Sequence, residues 1–398
     1  MKNLPLPKGW QELQIKDVGD ILGGGTPSTK NKEYWNGSIL WLTPTEVTSL
    51  KTKYLYDTER KITELGLKNS SARIIKPNSL IICTRATIGD CCINKKEIST
   101  NQGFKSITPN SNFDVVFLYY LISYNRNILI LNSSGSTFLE ISKSNLENLS
   151  FYFPPLDEQK RISEILSLCD EVIENLTKLI EQKELYKKGV MQRVLSGEVR
   201  FKGFKDEWQT VRLGDIVEMS SGGTPNTKNK EYWNGNIVWV TIKDITSSNN
   251  FLYDSEKKIT EKGLENSSAK IFPINTILYA MYASIGECII SKVECTTSQA
   301  ILGIECSEKI YFMFLYYLLV SYKNNAKRMR QTGTQPNLNK QIVSDFEFNI
   351  PSLEEQKKIA GLLSVIDDDI DNLKKQLELR KQQKKGLMQR LLTGEVRI

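Results

Sequence analysis

Almost every distinctive stretch of this 398-residue sequence occurs twice. TKNKEYWNGSILWLT (Thr29 to Thr43) returns as TKNKEYWNGNIVWVT (Thr227 to Thr241), and KITELGLKNSSAR (Lys61 to Arg73) returns as KITEKGLENSSAK (Lys258 to Lys270). ATIGD (Ala86 to Asp90) is answered by ASIGE (Ala283 to Glu287), and FLYYLISY (Phe117 to Tyr124) by FLYYLLVSY (Phe314 to Tyr322). The copies also end alike. PPLDEQKRI (Pro154 to Ile162) pairs with PSLEEQKKI (Pro351 to Ile359), and KKGVMQRVLSGEVRF (Lys187 to Phe201) with KKGLMQRLLTGEVRI (Lys384 to Ile398). The period is about 197 residues, far longer than the 20 to 50 of stacking solenoid repeats. Each copy is therefore a domain-sized unit, and two of them in one polypeptide predict a pseudo-twofold internal symmetry.

Each copy divides in two. Residues 1–153 and 201–350 are rich in Gly, Asn, Ser and Thr, with short apolar runs such as SILWLT, SLIICT and TILYAMY, the pattern of short strands in mixed α/β globular domains. FDVVFLYYLISYNRN and YFMFLYYLLVSYKNN are longer and aromatic, and read as buried helices. Residues 154–200 and 351–398 read as long helices. Pro154 and Pro155 stop the preceding strand, and Gly197 and Gly394 suit C-terminal stops. Ile162, Leu166, Cys169, Ile173, Leu176 and Ile180 recur at spacings of three and four, as do Ile359, Leu363, Ile366, Ile370, Leu373 and Leu377. A seam of period near 3.5 predicts a coiled coil. About 40 residues at 1.5 Å each make a rod of roughly 60 Å. Two such rods packed antiparallel satisfy the repeat symmetry and hold the globular domains apart like a calliper; the alternative is that each rod packs on its own globular domain.

Composition narrows the function. The chain has no histidine, which removes the usual general base and the commonest metal ligand. No G-x-x-x-x-G-K-[ST] phosphate loop occurs, and no Asn-Pro-Pro-aromatic or Asp-Pro-Pro-aromatic motif. The seven cysteines form no Cys-x-x-Cys and read as buried reduced thiols. No apolar run approaches the roughly 20 residues of a membrane span, and MKNLPLPKGW lacks a signal-peptide core, so a cytoplasmic address with no membrane partner is expected. A net charge of +7 is compatible with a polyanion. A twofold-symmetric protein suits an approximately twofold partner, and duplex DNA is one.

These motifs, in this order and twice over, resemble the DNA specificity subunit of type I restriction-modification systems: GGTPSTKNKEYWNG and GGTPNTKNKEYWNG, ATIGD…TNQGF and ASIGE…TSQAI, PPLDEQKRI with MQRVLSGEV, and PSLEEQKKI with MQRLLTGEV. The resemblance spans essentially the whole chain. It implies an α/β (α+β) architecture of two target recognition domains (1–153 and 201–350), separated by two long antiparallel coiled-coil helices (154–200 and 351–398). It further implies a non-catalytic subunit that binds a bipartite double-stranded DNA target and recruits two methyltransferase subunits together with restriction subunits. No cofactor is expected on this chain, and S-adenosylmethionine, ATP and magnesium are expected on the partners. A lone DNA-binding repressor would share the basic loops but would not require the EQKRI and MQRVLSGEV helix faces to bind partners, and a coiled-coil scaffold would share the helices but not the divergent loops on matched frameworks.

Candidate DNA-binding residues fall into two sets. Residues shared by the copies are expected to be scaffold or backbone contacts. Gly24, Gly25 and Thr26, with Gly222, Gly223 and Thr224, would place backbone amides near phosphates or simply make tight turns, and Lys30, Lys32, Lys228 and Lys230 add charge. Trp35, Trp41, Trp233 and Trp239 read as core rather than base-stacking residues. Base readout is expected where the copies differ: Pro44 to Asp57, including Thr45, against Lys243 to Asp254; Arg73 and Arg85 against Lys270 and Tyr282; and SGSTFLEISK against TGTQPNLNK. Arg85 suits guanine, and Gln335 and Asn337 suit adenine, or these differences are surface variation. The likeness of the domains predicts half-sites that partly resemble each other's reverse complement, and the rod predicts that adding one heptad to both helices changes the spacer alone.

Overall fold

The computed structural model describes residues 7–135, 139–247, 249–329 and 337–398. Gln335 lies outside the described residues. The chain forms two compact units, residues 1–177 with 375–398, and residues 178–374. The long helices run Leu156–Leu195 and Leu353–Leu392, so each unit holds half of each. The four consecutive segments read from the sequence differ from these units: the first unit joins residues 1–177 to 375–398, the second is the continuous stretch 178–374, and both boundaries cut the long helices.

In the first unit a five-stranded sheet runs in the order Gly19–Gly23, Phe104–Pro109, Leu80–Cys83, Cys91–Asn94, Tyr54–Leu55, antiparallel except for the last pair. Beside it, Trp35–Leu42 pairs antiparallel with Lys61–Ile62 and parallel with Ile98–Thr100. The second unit repeats both sheets, in the orders Val217–Ser221, Ile301–Cys306, Ile277–Ala280, Cys288–Ser291, Phe251–Leu252 and Lys258–Ile259, Trp233–Val240, Cys295–Thr297. Leu80–Cys83 shows why the runs are apolar throughout. Successive side chains point to opposite faces, and here both faces are covered: Leu80 and Ile82 enter one core cluster, Ile81 and Cys83 another. The aromatic segments are helical, Val115–Tyr124 followed by Arg126–Leu131, and Phe312–Arg328.

The EQ dipeptide at the start of each long helix is buried and spoken for. Gln159 accepts from the amide of Asp114 (2.9 Å) and donates to Pro154 O (2.9 Å); Gln356 accepts from the amide of Tyr311 (2.8 Å) and donates to Pro351 O (3.0 Å). Glu158 takes two charge-assisted hydrogen bonds from Arg397, Nε to Oε1 at 2.6 Å and Nη2 to Oε2 at 2.8 Å. Glu355 takes the same pair from Arg200, at 3.0 and 2.7 Å. Gly197 (φ +75°) and Gly394 (φ +71°) turn the chain off its helix through the left-handed region, one turn before these arginines.

Within each unit the two half-helices are antiparallel. In the first, Glu158 meets Arg397 and Asp170 meets Lys384; in the second, Glu355 meets Arg200 and Asp367 meets Lys187. The apolar seam needs correction at its start. Ile162 and Leu166, with Leu391 and Leu392, belong to the first domain's core, and Ile359 and Leu363, with Val194 and Leu195, to the second's. The opening turns of each seam thus pack on their own globular domain as well as on the other helix.

The seven cysteines are free; burial pushes the thiols of Cys83 and Cys295 up to about 11 and those of Cys91 and Cys306 to about 12. No helix among the described residues is long and apolar enough to cross a membrane.

Asp367 ties the second domain to both half-helices, accepting from Tyr317 Oη (2.7 Å) and Asn250 Nδ2 (2.7 Å) while pairing with Lys187. Asp367→Ala strands three donors and is expected to cost about 3 kcal/mol, against about 1 kcal/mol for Tyr317→Phe, both read from urea denaturation.

Candidate nucleic-acid interface

Four strands of each unit finish at one edge. In the first unit they end at Gly23, Leu42, Cys83 and Thr100, and the segments that follow are stitched together there by backbone hydrogen bonds. Gly25 N donates to Thr100 O (2.8 Å), Asn101 N to Leu42 O (3.3 Å), Thr84 N to Gly103 O (2.8 Å), and Ile141 N to Thr84 O (3.1 Å). The second unit repeats the pattern with Gly223 N to Thr297 O (2.8 Å), Ser298 N to Val240 O (3.0 Å), Met281 N to Ala300 O (2.9 Å) and Leu338 N to Met281 O (3.0 Å). The turn Asn101 to Gly103, or Ser298 to Ala300, is the hub. Thr26, Thr45, Arg85 and Glu140 therefore sit on one edge although they span more than a hundred residues of chain.

The glycine loop is part of the frame. A Cβ on Gly24 would lie 1.9 Å from Asn101 O, and one on Gly222 would lie 2.0 Å from Thr297 Oγ1 and 2.2 Å from Thr297 O. Gly25 and Gly223 press as closely on Ser71 with Ala72 and on Ser268 with Ala269. The expectation that Gly25, Gly222 and Gly223 offer their amides to phosphates is corrected, because those amides donate to Thr100 O (2.8 Å), Ile301 O (3.2 Å) and Thr297 O (2.8 Å). Trp41 and Trp239 are buried and donate from Nε1 to Gly25 O (3.0 Å) and Gly223 O (2.9 Å). Trp35 and Trp233 pack edge-on against them with ring centroids 4.9 and 5.0 Å apart. Thr26 and Thr224 donate their hydroxyls to Gln102 and Gln299.

Arg73 and Lys270 are exposed, directly after the alanines that pack on the loop glycines. Thr45 is exposed on the helix Pro44–Ser49, and Lys243 is exposed in the matching helix Ile242–Ser247, 3.2 Å from Glu256. Arg85 and Tyr282 occupy the same place in the connection after the Leu80–Cys83 and Ile277–Ala280 strands; Arg85 is exposed and ion-paired with Glu140, and Tyr282 packs on the second domain's core. Asn337, half-buried, stands beside the Leu338 contact to Met281. Lys30, Lys32, Lys228 and Lys230 are exposed, and no ion pair engages them among the described residues. They lie in the loops that lead from the glycines to strands Trp35–Leu42 and Trp233–Val240.

Gln102 and Gln299 were not candidates from sequence, yet both are exposed at the hub of the edge with their carboxamides held by a threonine. Their recurrence in TNQGF and TSQAI was the available signal. With the glycines packed into the frame and the lysines exposed, Gly222→Ala is expected to cost about 2 kcal/mol or more of stability by overpacking. The double change Lys228→Ala, Lys230→Ala should stay within about 0.5 kcal/mol of the parent in the same urea titration.

The family described as the type I restriction modification DNA specificity domain matches residues 7–184 and again 205–381. The type I restriction enzyme MjaIX specificity subunit of Methanocaldococcus jannaschii is 30% identical, over 99% of this chain and 95% of that protein. Among solved structures, the type I restriction-modification S subunit of M. genitalium has the same fold, with a TM-score of 0.61 at 18% identity, covering 98% of both chains. The HsdS subunit of Thermoanaerobacter tengcongensis follows at 0.53 and 17%, covering 99% of both. Carrying the specificity domain twice, on a fold shared with these subunits, the chain belongs to the type I restriction-modification DNA specificity family.

Proposed function

We propose that this chain, a non-catalytic DNA target-recognition subunit by its family, uses the convergent edge of each unit to read one half of a bipartite duplex site. One observation carries the reading: positions at which the copies differ, Arg85 against Tyr282 and Glu140 against Asn337, meet at one edge, inside a backbone frame the copies share. Shared structure with divergent chemistry at its rim is what two readers of two different half-sites require. Thr45, Arg73, Lys243 and Lys270 lie on or beside the same edge, and Gln102 and Gln299 are added to it. Lys30, Lys32, Lys228 and Lys230, exposed and shared by the two copies, supply phosphate contacts that set register rather than base contacts.

In this reading the partners are two methyltransferase subunits, which bring S-adenosylmethionine, and restriction subunits, which bring ATP and magnesium. Leu168 and Val365, equivalent residues of the two long helices, are 61% and 67% exposed and supply apolar surface for such partners. Acting on cellular DNA, the complex works in the cytoplasm.

Co-expression with the methyltransferase subunits in a host without such systems, followed by single-molecule mapping of modified adenines, is expected to return a single bipartite motif. A soluble complex that modifies no motif would favour a lone DNA-binding or scaffold role. In salt titrations of DNA binding, Lys30→Ala with Lys32→Ala should weaken binding to all sequences alike and lower the salt slope by about two, one per phosphate contact.

A further inference from the structure

The two edges differ most at one spot. In the first unit Arg85 Nε lies 2.8 Å from Glu140 Oε2, and the two residues also form an antiparallel bridge. Lys105 stands close by, in register with Ile82 and Gly23 at the start of its strand. The equivalent residues of the second unit are Tyr282, Asn337 and Leu302. Leu302 is fully buried in the domain core, and Tyr282 packs on that core. One backbone hydrogen bond is common to both places, since Ile141 N reaches Thr84 O as Leu338 N reaches Met281 O.

The charged version holds more cations than carboxylates, and Lys105 donates to a backbone carbonyl, Phe104 O, at 3.4 Å. Lys105 is half-buried, and burial is the main reason its pKa falls; Arg85 and Lys143 lower it further while Glu140 opposes them. One carboxylate thus faces three cations, of which Lys143 has its own partner, Glu147, at 3.4 Å. The complement of such a site is a rigid, acceptor-rich edge, and guanine offers O6 and N7 side by side in the major groove. Glu140 holds the guanidinium from its Nε side, which orders the side chain before DNA arrives and lowers the entropy lost on binding. The residue that follows, Ala86, is in the left-handed region (φ 54°), as is Ala283 (φ 55°), so the same strained turn presents Arg85 in one unit and Tyr282 in the other.

We propose that Arg85, positioned by Glu140 and backed by Lys105, reads a guanine in the half-site of the first unit, and that Asn337 beside Tyr282 and Leu302 reads an adenine at the equivalent place in the other. The proposal rests on the function proposed above. The complex of the full chain with its methyltransferase subunits is the material for the test, and base preference at each motif position is the readout. The parent motif is expected to hold a G·C pair in one half. Arg85→Ala should relax that position by roughly tenfold to a hundredfold. Glu140→Gln, which keeps shape and removes charge, should relax the same position less and leave the other half-site unchanged, a pattern that a merely structural role for Glu140 would not produce. The combined change Arg85→Tyr, Lys105→Leu, Glu140→Asn should turn that preference from G·C to A·T. An unchanged motif in Arg85→Ala and Glu140→Gln complexes that melt like the parent would overturn this proposal alone. Absence of any motif with the parent chain would overturn it together with the proposed function. Should the triple variant fail to fold, the two single variants decide the matter.

Discussion

A buried carboxylate closes each unit. Glu355 is fully buried and Glu158 nearly so, and a carboxylate in such a place is tolerable only when a cation and hydrogen bonds meet it. The cation comes from the segment that follows the other long helix, Arg200 for Glu355 and Arg397 for Glu158, each as a two-pronged contact. Glu158 has a further donor in Trp10 Nε1 at 3.3 Å. The beginning and end of each unit are therefore bound together, and the sheets are built on a closed base. The motifs DEQK and GEVR, which invite a reading as partner surfaces, have this internal task first.

The same economy governs the convergent edge of each unit. The glycines of the GGTP loop sit where any side chain would collide with backbone, the tryptophans that follow brace the loop through its carbonyls, and the threonine after the glycines orients a glutamine. All of these recur in both copies. Departures from the repeat, Arg85 to Tyr282, Lys105 to Leu302 and Glu140 to Asn337, change charge and polarity without disturbing the backbone bonds that hold them in place. In the proposed function, specificity changes by exchange of a few such residues while the frame is kept.

Much of this was legible in the sequence. The repeat, the long helices between Pro155 and Gly197 and between Pro351 and Gly394, and the buried aromatic helices follow from spacing and punctuation residues alone. What the seam packs against was not, because a period near 3.5 looks the same whether Ile162 faces another helix or its own domain, and it faces both. Nor could Gly222 be read as a packing glycine, since flexibility and close approach demand the same residue. The Arg85 to Glu140 ion pair and the Thr26 to Gln102 hydrogen bond join residues brought together only by sheet pairing, and no local pattern announces them.

The most direct measurement is site-specific photocrosslinking to DNA that carries the modified motif. A photoreactive residue is placed in turn at Gln102 and Gln299, on the edge, and at Glu97 and Glu294, at the opposite ends of the strands that lead to it. Crosslinks from Gln102 to one half-site and from Gln299 to the other, with none from Glu97 or Glu294, are expected if the convergent edges face the bases. Crosslinks from Glu97 and Glu294 with none from the glutamines would show that DNA lies on the other side of each domain, and the edge would lose its role.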